Sequence, residues 1–211
     1  MSSGDPGYDD VPPRGALAEF LVLLNEYPEL KESISGRRKW NHDYDVPYLA
    51  GSALDGQTIY FDPKLHSLPE WAIRLIALHE IIEWSLKPYV EGYEPRHHMA
   101  TAAEDRYVLD LGHTPQEYRH LLRPFYAPIE HEKLTDCPPD LDLSPYSGEL
   151  KRTLEDLQNG KVSKISVLFG HGARHRNCGL CSMFKRPDIC SLVAGPISPD
   201  AVCDRFVRRL T

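Results

Sequence analysis

The sequence predicts an α+β fold, mainly helical, that ends in an irregular cysteine-bearing tail. Three observations predict it. Apolar residues recur at helical spacing in several segments bracketed by proline, glycine and capping residues. One short β-branched and aromatic run, residues 57–61, stands between two turn signals. Four of the five cysteines fall between Cys178 and Cys203, in a Pro- and Gly-rich segment with little apolar mass. Such a tail folds when something covalent or coordinate holds it. At 211 residues the chain has room for one medium domain and an appendage.

Residues 1–13 are polar, acidic and Pro/Gly-rich, and read as a disordered leader. They contain no apolar stretch that a translocon would read, so secretion by a signal peptide is not expected. The apolar run at 16–24 predicts a helix ending near Tyr27-Pro28. A basic stretch at 36–39 leads to residues 48–52. Asp55-Gly56 and Asp62-Pro63 then bracket the 57–61 strand, the second arm of a hairpin starting near Val46. Residues 70–87 form the strongest helix, with Pro69 before its first turn and Pro88 beyond its end. Pro95 opens a second helix to about Leu111, closed by Gly112. Thr114-Pro115-Gln116-Glu117 reads as a capping box with Pro at the first helical position, starting a helix to about Tyr126. Residues 127–143 are Pro- and Asp-rich and mark a linker, after which Ser144-Pro145 opens a helix to Gln158, stopped by Asn159-Gly160. The expected organisation is a leader at 1–13, a helical metal-binding domain at 14–126, a linker at 127–143, a helix at 144–160 and a cysteine tail at 161–211.

Hydrophobic residues make up 41% of the chain, and no apolar run approaches the ~18 residues of a membrane span. A membrane partner is therefore not expected. The formal charge of −7 is uneven: residues 1–150 carry 13 Lys/Arg against 26 Asp/Glu, and residues 151–211 carry 11 against 5. A basic tail suits nucleic acid, an acidic partner, or compensation for a cluster held by four thiolates. The charges are scattered with little aromatic interleaving, which favours the last, and nucleic acid is not expected as a partner. Cys137, in an acidic loop, reads as a free thiol.

Cys178 and Cys181 form a C-x2-C turn; Cys190 and Cys203 follow from separate loops. Two disulfides are one reading. With no signal peptide, the thiols of a reducing compartment favour a metal centre instead. Structural zinc sites usually combine two short knuckles, whereas here the second pair is split by twelve residues. That spacing suits an iron–sulfur cubane, with zinc as the fallback.

The strongest helix carries His79-Glu80-Ile81-Ile82-Glu83. Positions 79 and 83 lie one turn apart and can bind one ion, and Glu80, turned by about 100°, can take a proton from water beside it. The motif alone is weak. Its neighbours Leu75, Ile76, Leu78, Ile81, Ile82 and Trp84 are apolar almost all round, so the helix is expected to be buried. Buried imidazole and carboxylate groups need partners or a metal. The following helix supplies His97, His98, Glu104 and Asp105, and His97 and Glu104 share a face two turns apart. His79, Glu83, His97 and Glu104 are the expected ligand set, with His98 as an alternative from the same helix, zinc or another divalent ion as the metal, and Glu80 as the catalytic base. The competing reading is a buried His–carboxylate network that joins two helices without a metal.

Two resemblances sharpen these expectations. The cysteine run, with Phe184, Pro187, Val193, Gly195, Ile197, Pro199 and Phe206 between and after the ligands, resembles the ligand loop of high-potential iron–sulfur proteins, in the version appended to phage and prophage proteins. The resemblance implies a [4Fe-4S] cluster on Cys178, Cys181, Cys190 and Cys203; Val202 stands where that family usually has an aromatic residue. The order strand, HExxE helix, then His97, Ala100, Thr101, Glu104 and Gly112 resembles phage-encoded proteins with a zincin-like metallopeptidase core. That likeness implies a zincin-like domain whose 57–61 strand is an edge strand for an extended substrate.

The resulting expectation is a phage-encoded, metal-dependent hydrolase acting on a peptide or amide and carrying a [4Fe-4S] cluster, working in the host cytoplasm or the virion. The alternative is a non-enzymatic virion or assembly protein, possible partner of other virion proteins, in which both metal centres are structural. A di-iron site on His79, Glu80, Glu83, His97 and Glu104 fits less well, because such bundles draw E-x-x-H pairs from two helices and only Glu94-x2-His97 has that form.

Overall fold

The computed structural model describes residues 11–126, 134–173 and 176–209. The chain is α+β and divides into two compact units, Met1–Ala127 and Pro128–Thr211. Of the expected leader, residues 1–10 lie outside the described residues, as do 127–133 of the expected linker.

The first unit begins with helix α1 (Ala16–Glu26) and helix α2 (Pro28–Ser35). Pro28 does not simply stop the first helix, as the sequence suggested. It is the first residue of the second, where a missing N–H costs nothing. Leu30 of α2 is fully buried and packs with Phe20 of α1. A three-stranded sheet follows from β1 (Lys39–Asn41), β2 (Ala50–Ser52) and β3 (Thr58–Phe61). The order is β1-β3-β2, with β3 parallel to β1 and antiparallel to β2. The expected hairpin is therefore present as β2–β3. The expected edge strand is not at 57–61: β3 is central and hydrogen-bonded on both sides, so it has no free edge for a substrate. Strand β2 takes the edge, with Ser52 Oγ donating to the Glu80 carbonyl at 3.4 Å. In the turn of this hairpin Gly56 has φ 67° and lies against Trp84, whose indole occupies the space a Cβ would need.

Helix α3 (Glu70–Ser85) runs through the middle of this unit. One side packs with Ile59, Phe61, Leu65, Val108, Tyr118 and Leu122 through Ala72, Leu75 and Ile76. Another side, through Ile82, packs with Phe20, Leu30, Leu86, Met99, Ala100 and Ala103. A helix clamped between two apolar clusters must be apolar all round, and this is the origin of its sequence pattern. Helix α4 (Tyr93–Asp110) lies along it, with Ala100, Ala102 and Ala103 buried so that the two backbones can approach closely. It begins at Tyr93, two residues before Pro95, and its preceding Gly92 takes φ 83°. Helix α5 (Pro115–Leu122) opens on the expected capping box: Thr114 Oγ1 accepts from Glu117 N at 3.2 Å and the Glu117 carboxylate accepts from Thr114 N at 2.8 Å. Its last expected turn is a 3-10 turn at Arg123–Phe125.

In the second unit the expected linker is packed chain over its described part, with Leu134, Cys137 and Leu141 buried. Helix α6 (Gly148–Gln158) starts three residues after Pro145. The Ser144 backbone N–H and hydroxyl are held by the Asp142 carboxylate, which makes a turn there instead of a first helical turn. The tail is not free of α6: Arg152 pairs with Asp188 at 2.8 Å, and the Asp156 carboxylate accepts from Gly195 N at 3.0 Å. Short strands β4 (Gly170–His171), β5 (Phe184–Lys185), β6 (Ile189–Cys190) and β7 (Ala201–Val202) pair as β4–β7 and β5–β6. Gly195, at φ 75°, presents a face on which a Cβ would sit 2.5 Å from Thr153 Oγ1. A side chain there would displace the Thr153 hydroxyl.

Candidate metal centres

In the first unit α3 supplies His79, Glu80 and Glu83, and α4 supplies Tyr93, His97 and Glu104. His79 Nε2 lies 3.1 Å from His97 Nδ1, and Glu83 Oε2 lies 3.1 Å from the same nitrogen. Glu83 Oε2 is 3.6 Å from His79 Nε2. The three ligand atoms are within 4.8 Å of one another, with Glu83 buried and both histidines half-buried. One imidazole nitrogen carries one proton or one lone pair, so His97 Nδ1 cannot satisfy both neighbours equally. A cation among the three atoms can.

Glu104, expected as a fourth ligand, sits behind His79 instead. Its Oε2 is 3.1 Å from His79 Nδ1, while its Oε1 accepts from Tyr118 Oη at 2.6 Å. The two ring nitrogens of an imidazole point apart, so a carboxylate bonded to Nδ1 faces away from an ion on Nε2. This is the arrangement by which an outer carboxylate fixes a ligand histidine's tautomer and raises its basicity. Asp105 turns to Arg119 of α5 at 2.6 Å and takes no part in the trio. His98 is likewise outside it, its ring centroid 6.4 Å from that of His97. Glu80 is half-buried on the turn that carries His79, and its backbone carbonyl faces β2.

The electrostatics favour positive charge at this point. Burial works against a charged His79, but the hydrogen bonds and charges of Glu104 and Glu83 outweigh it and hold its pKa well above the usual 6.5. Burial pushes Glu83 up, but the hydrogen bonds and charges of His79 and His97 pull its carboxyl down to about 2. Tyr118 is raised well above 10 by burial and by the Glu104 charge, and so stays a donor to that carboxylate.

Tyr93 and Tyr118 were not singled out by sequence reasoning. Tyr93 had a readable signal, four residues before His97 and so on its face of the helix; its phenol lies 3.3 Å from His97 Nδ1. Tyr118 comes from another helix, and no spacing rule connects it to Glu104.

In the second unit Cys178, Cys181, Cys190 and Cys203 are all buried and belong to one apolar cluster with Phe184, Val193, Ile197 and Ala201. None is in a disulfide. They come from a 3-10 turn at Cys178–Leu180, the residue after it, strand β6 and the residue after β7. All four line one pocket, walled by Phe169, Phe184 and Phe206. Burial and the neighbouring Cys203, Cys181 and Cys190 push the Cys178 thiol up to about 11. Leu192 N lies 3.4 Å from Cys190 Sγ, and the Arg205 backbone N–H reaches Cys203.

Compared with protein-family models, curated proteins and solved structures, the chain matches none. Among the described residues no helix is long and apolar enough to cross a membrane.

Proposed function

We propose that the first unit is a metal-dependent hydrolase of peptide or amide bonds, and that the second carries a [4Fe-4S] cluster. The observation that carries the first half is the meeting of His79 Nε2, Glu83 Oε2 and His97 Nδ1 at 3.1 to 3.6 Å. Two imidazoles and one carboxylate are the donor set of hydrolytic zinc sites, which keep a further position for water or substrate. Bound zinc supplies a Lewis acid for the scissile carbonyl and lowers the pKa of its water. Glu104 holds His79 in the tautomer that leaves Nε2 available, with Tyr118 fixing Glu104 in turn. Glu80 takes the water's proton and passes it to the leaving amine. The phage-type resemblance of the sequence makes the host cytoplasm or the virion its place of work.

The sequence spacing of the second cysteine pair, with twelve residues between Cys190 and Cys203, supports a cluster over a single zinc held by two short knuckles. A cubane spreads its ligands more widely, and its sulfurs accept amide hydrogen bonds such as those from Leu192 and Arg205.

A second reading has its own observation. The chain Tyr118–Glu104–His79–His97–Glu83 ties α5, α4 and α3 into one network, which suits a virion or assembly protein whose metals are staples. Elemental analysis of anaerobically purified protein, paired with Glu80→Gln assayed on peptide and amide substrates, separates the two. The hydrolase reading expects one divalent ion beside four irons, and a variant that keeps its ion and fold but loses at least about 100-fold in turnover. Unchanged turnover in Glu80→Gln would remove Glu80 from the reaction. A bound ion with no hydrolysis by the wild type on any substrate favours the staple.

A further inference from the structure

The His79–Glu83–His97 trio has a fourth neighbour of a type that ligand rules for His, Cys, Asp and Glu pass over. Tyr93 is the first residue of α4, one helical turn before His97. Its ring stacks on the His97 imidazole, with centroids 5.3 Å apart and planes at 25°. Its Oη lies 3.3 Å from His97 Nδ1, the same nitrogen that stands 3.1 Å from His79 Nε2 and 3.1 Å from Glu83 Oε2. Three heteroatoms from two helices therefore gather around one ring nitrogen. Glu104 cannot fill the fourth place, because it is committed to the far nitrogen of His79.

We propose that Tyr93 is the fourth protein ligand of this centre, its phenolic oxygen coordinating the ion held by His79, Glu83 and His97. The inference rests on the metal-site reading above and deepens it. Three features favour the phenol as a ligand over a spectator. The ring is stacked on a ligand histidine, so the oxygen is held at a fixed height beside the trio. Gly92 at φ 83° starts the helix one residue earlier, a backbone conformation that sets the position of Tyr93 and that only glycine adopts freely. A bound divalent cation also favours the deprotonated form of an oxygen that it touches; the phenol proton passes to solvent. Zinc bound by three protein ligands and a water can expand to five positions, so a phenolate here still leaves a place for water.

The test uses the full chain and cupric ion as the probe. Phenolate bound to copper(II) gives resonance-enhanced tyrosinate ring modes in the Raman spectrum, and copper bound to imidazole gives nitrogen hyperfine structure in the paramagnetic spectrum. Both spectra are compared among the wild type, Tyr93→Phe and His79→Ala, all of which carry the same cysteine unit, so its contribution cancels. The expected result is histidine-dependent copper binding with tyrosinate modes in the wild type, and loss of those modes alone in Tyr93→Phe. Histidine-dependent copper without tyrosinate modes in the wild type overturns the assignment of Tyr93 and leaves the metal centre standing. No copper signal that depends on His79 overturns the centre itself and Tyr93 with it. The wild-type spectrum decides the matter even if Tyr93→Phe fails to fold.

Discussion

At the scale of single residues, the candidate centre separates groups that touch the ion from groups that aim them. Glu104 and Tyr118 belong to the second kind. Glu104→Gln keeps the shape but weakens the hold on His79 Nδ1, and it should lower zinc affinity by about 10- to 100-fold in a chelator competition. Removal of a proposed ligand such as His97 should abolish binding. The protonation of the metal-free site also has a measurable signature. His79 has a raised pKa, so its stabilising charge is fully present below its usual 6.5 and is lost as pH rises through the elevated value. Glu83 is depressed to about 2, so its contribution is present above its usual 4.5 and is lost as pH falls toward 2. Chelator-treated protein should therefore melt highest between about pH 4.5 and 6.5, and His79→Gln should remove the alkaline decline. The sequence announced His79, Glu83 and His97 because helical spacing says which side chains share a face. It could not separate a ligand from an outer partner: Glu104 shares the face of His97, yet what decides its role is which nitrogen of His79 it meets.

At the scale of elements, α3 combines the chemistry with the core. Ile82 is 1% exposed and packs between Leu30, Leu86 and Met99. Ile82→Ala should cost about 2–5 kcal/mol in denaturant unfolding, and it should weaken metal binding as the adjacent Glu83 loosens. Thr114→Ala removes one side of a reciprocal cap and should cost only about 1 kcal/mol. Helices α3, α4 and α5 were legible because proline, glycine and capping residues bracket long apolar patterns. Helix α2 was hidden because Pro28 terminates one helix and initiates the next with a single residue between them. Strand β1 was hidden for another reason. Its three residues Lys39–Asn41 have no apolar alternation, and they become a strand only through a parallel, non-local pairing with β3. That same pairing turned the expected edge strand into the central one.

At the scale of the whole molecule, each unit has its own apolar cluster and its own candidate centre. The two should unfold as separable events, because two-state behaviour belongs to a single cooperative core. Oxidative loss of the proposed cluster, or Cys181→Ser, should lower the melting of the second unit and leave the first transition in place in differential calorimetry; a single merged transition would refute the separation. Loading the second centre should also release protons, since burial and the adjacent sulfurs hold the Cys178 thiol near 11 before ligation. The cysteine unit was legible as a group needing a staple, but its partnership with α6 was not, because the Gly195–Asp156 and Arg152–Asp188 contacts span more than thirty residues. In the first unit, the flat indole of Trp84 pressed into the gap left by Gly56 works as a gauge block. It spaces the hairpin from the helix that bears His79 and Glu83, so drift at position 56 or 84 would reset the fit of hairpin to helix with no change to either side chain.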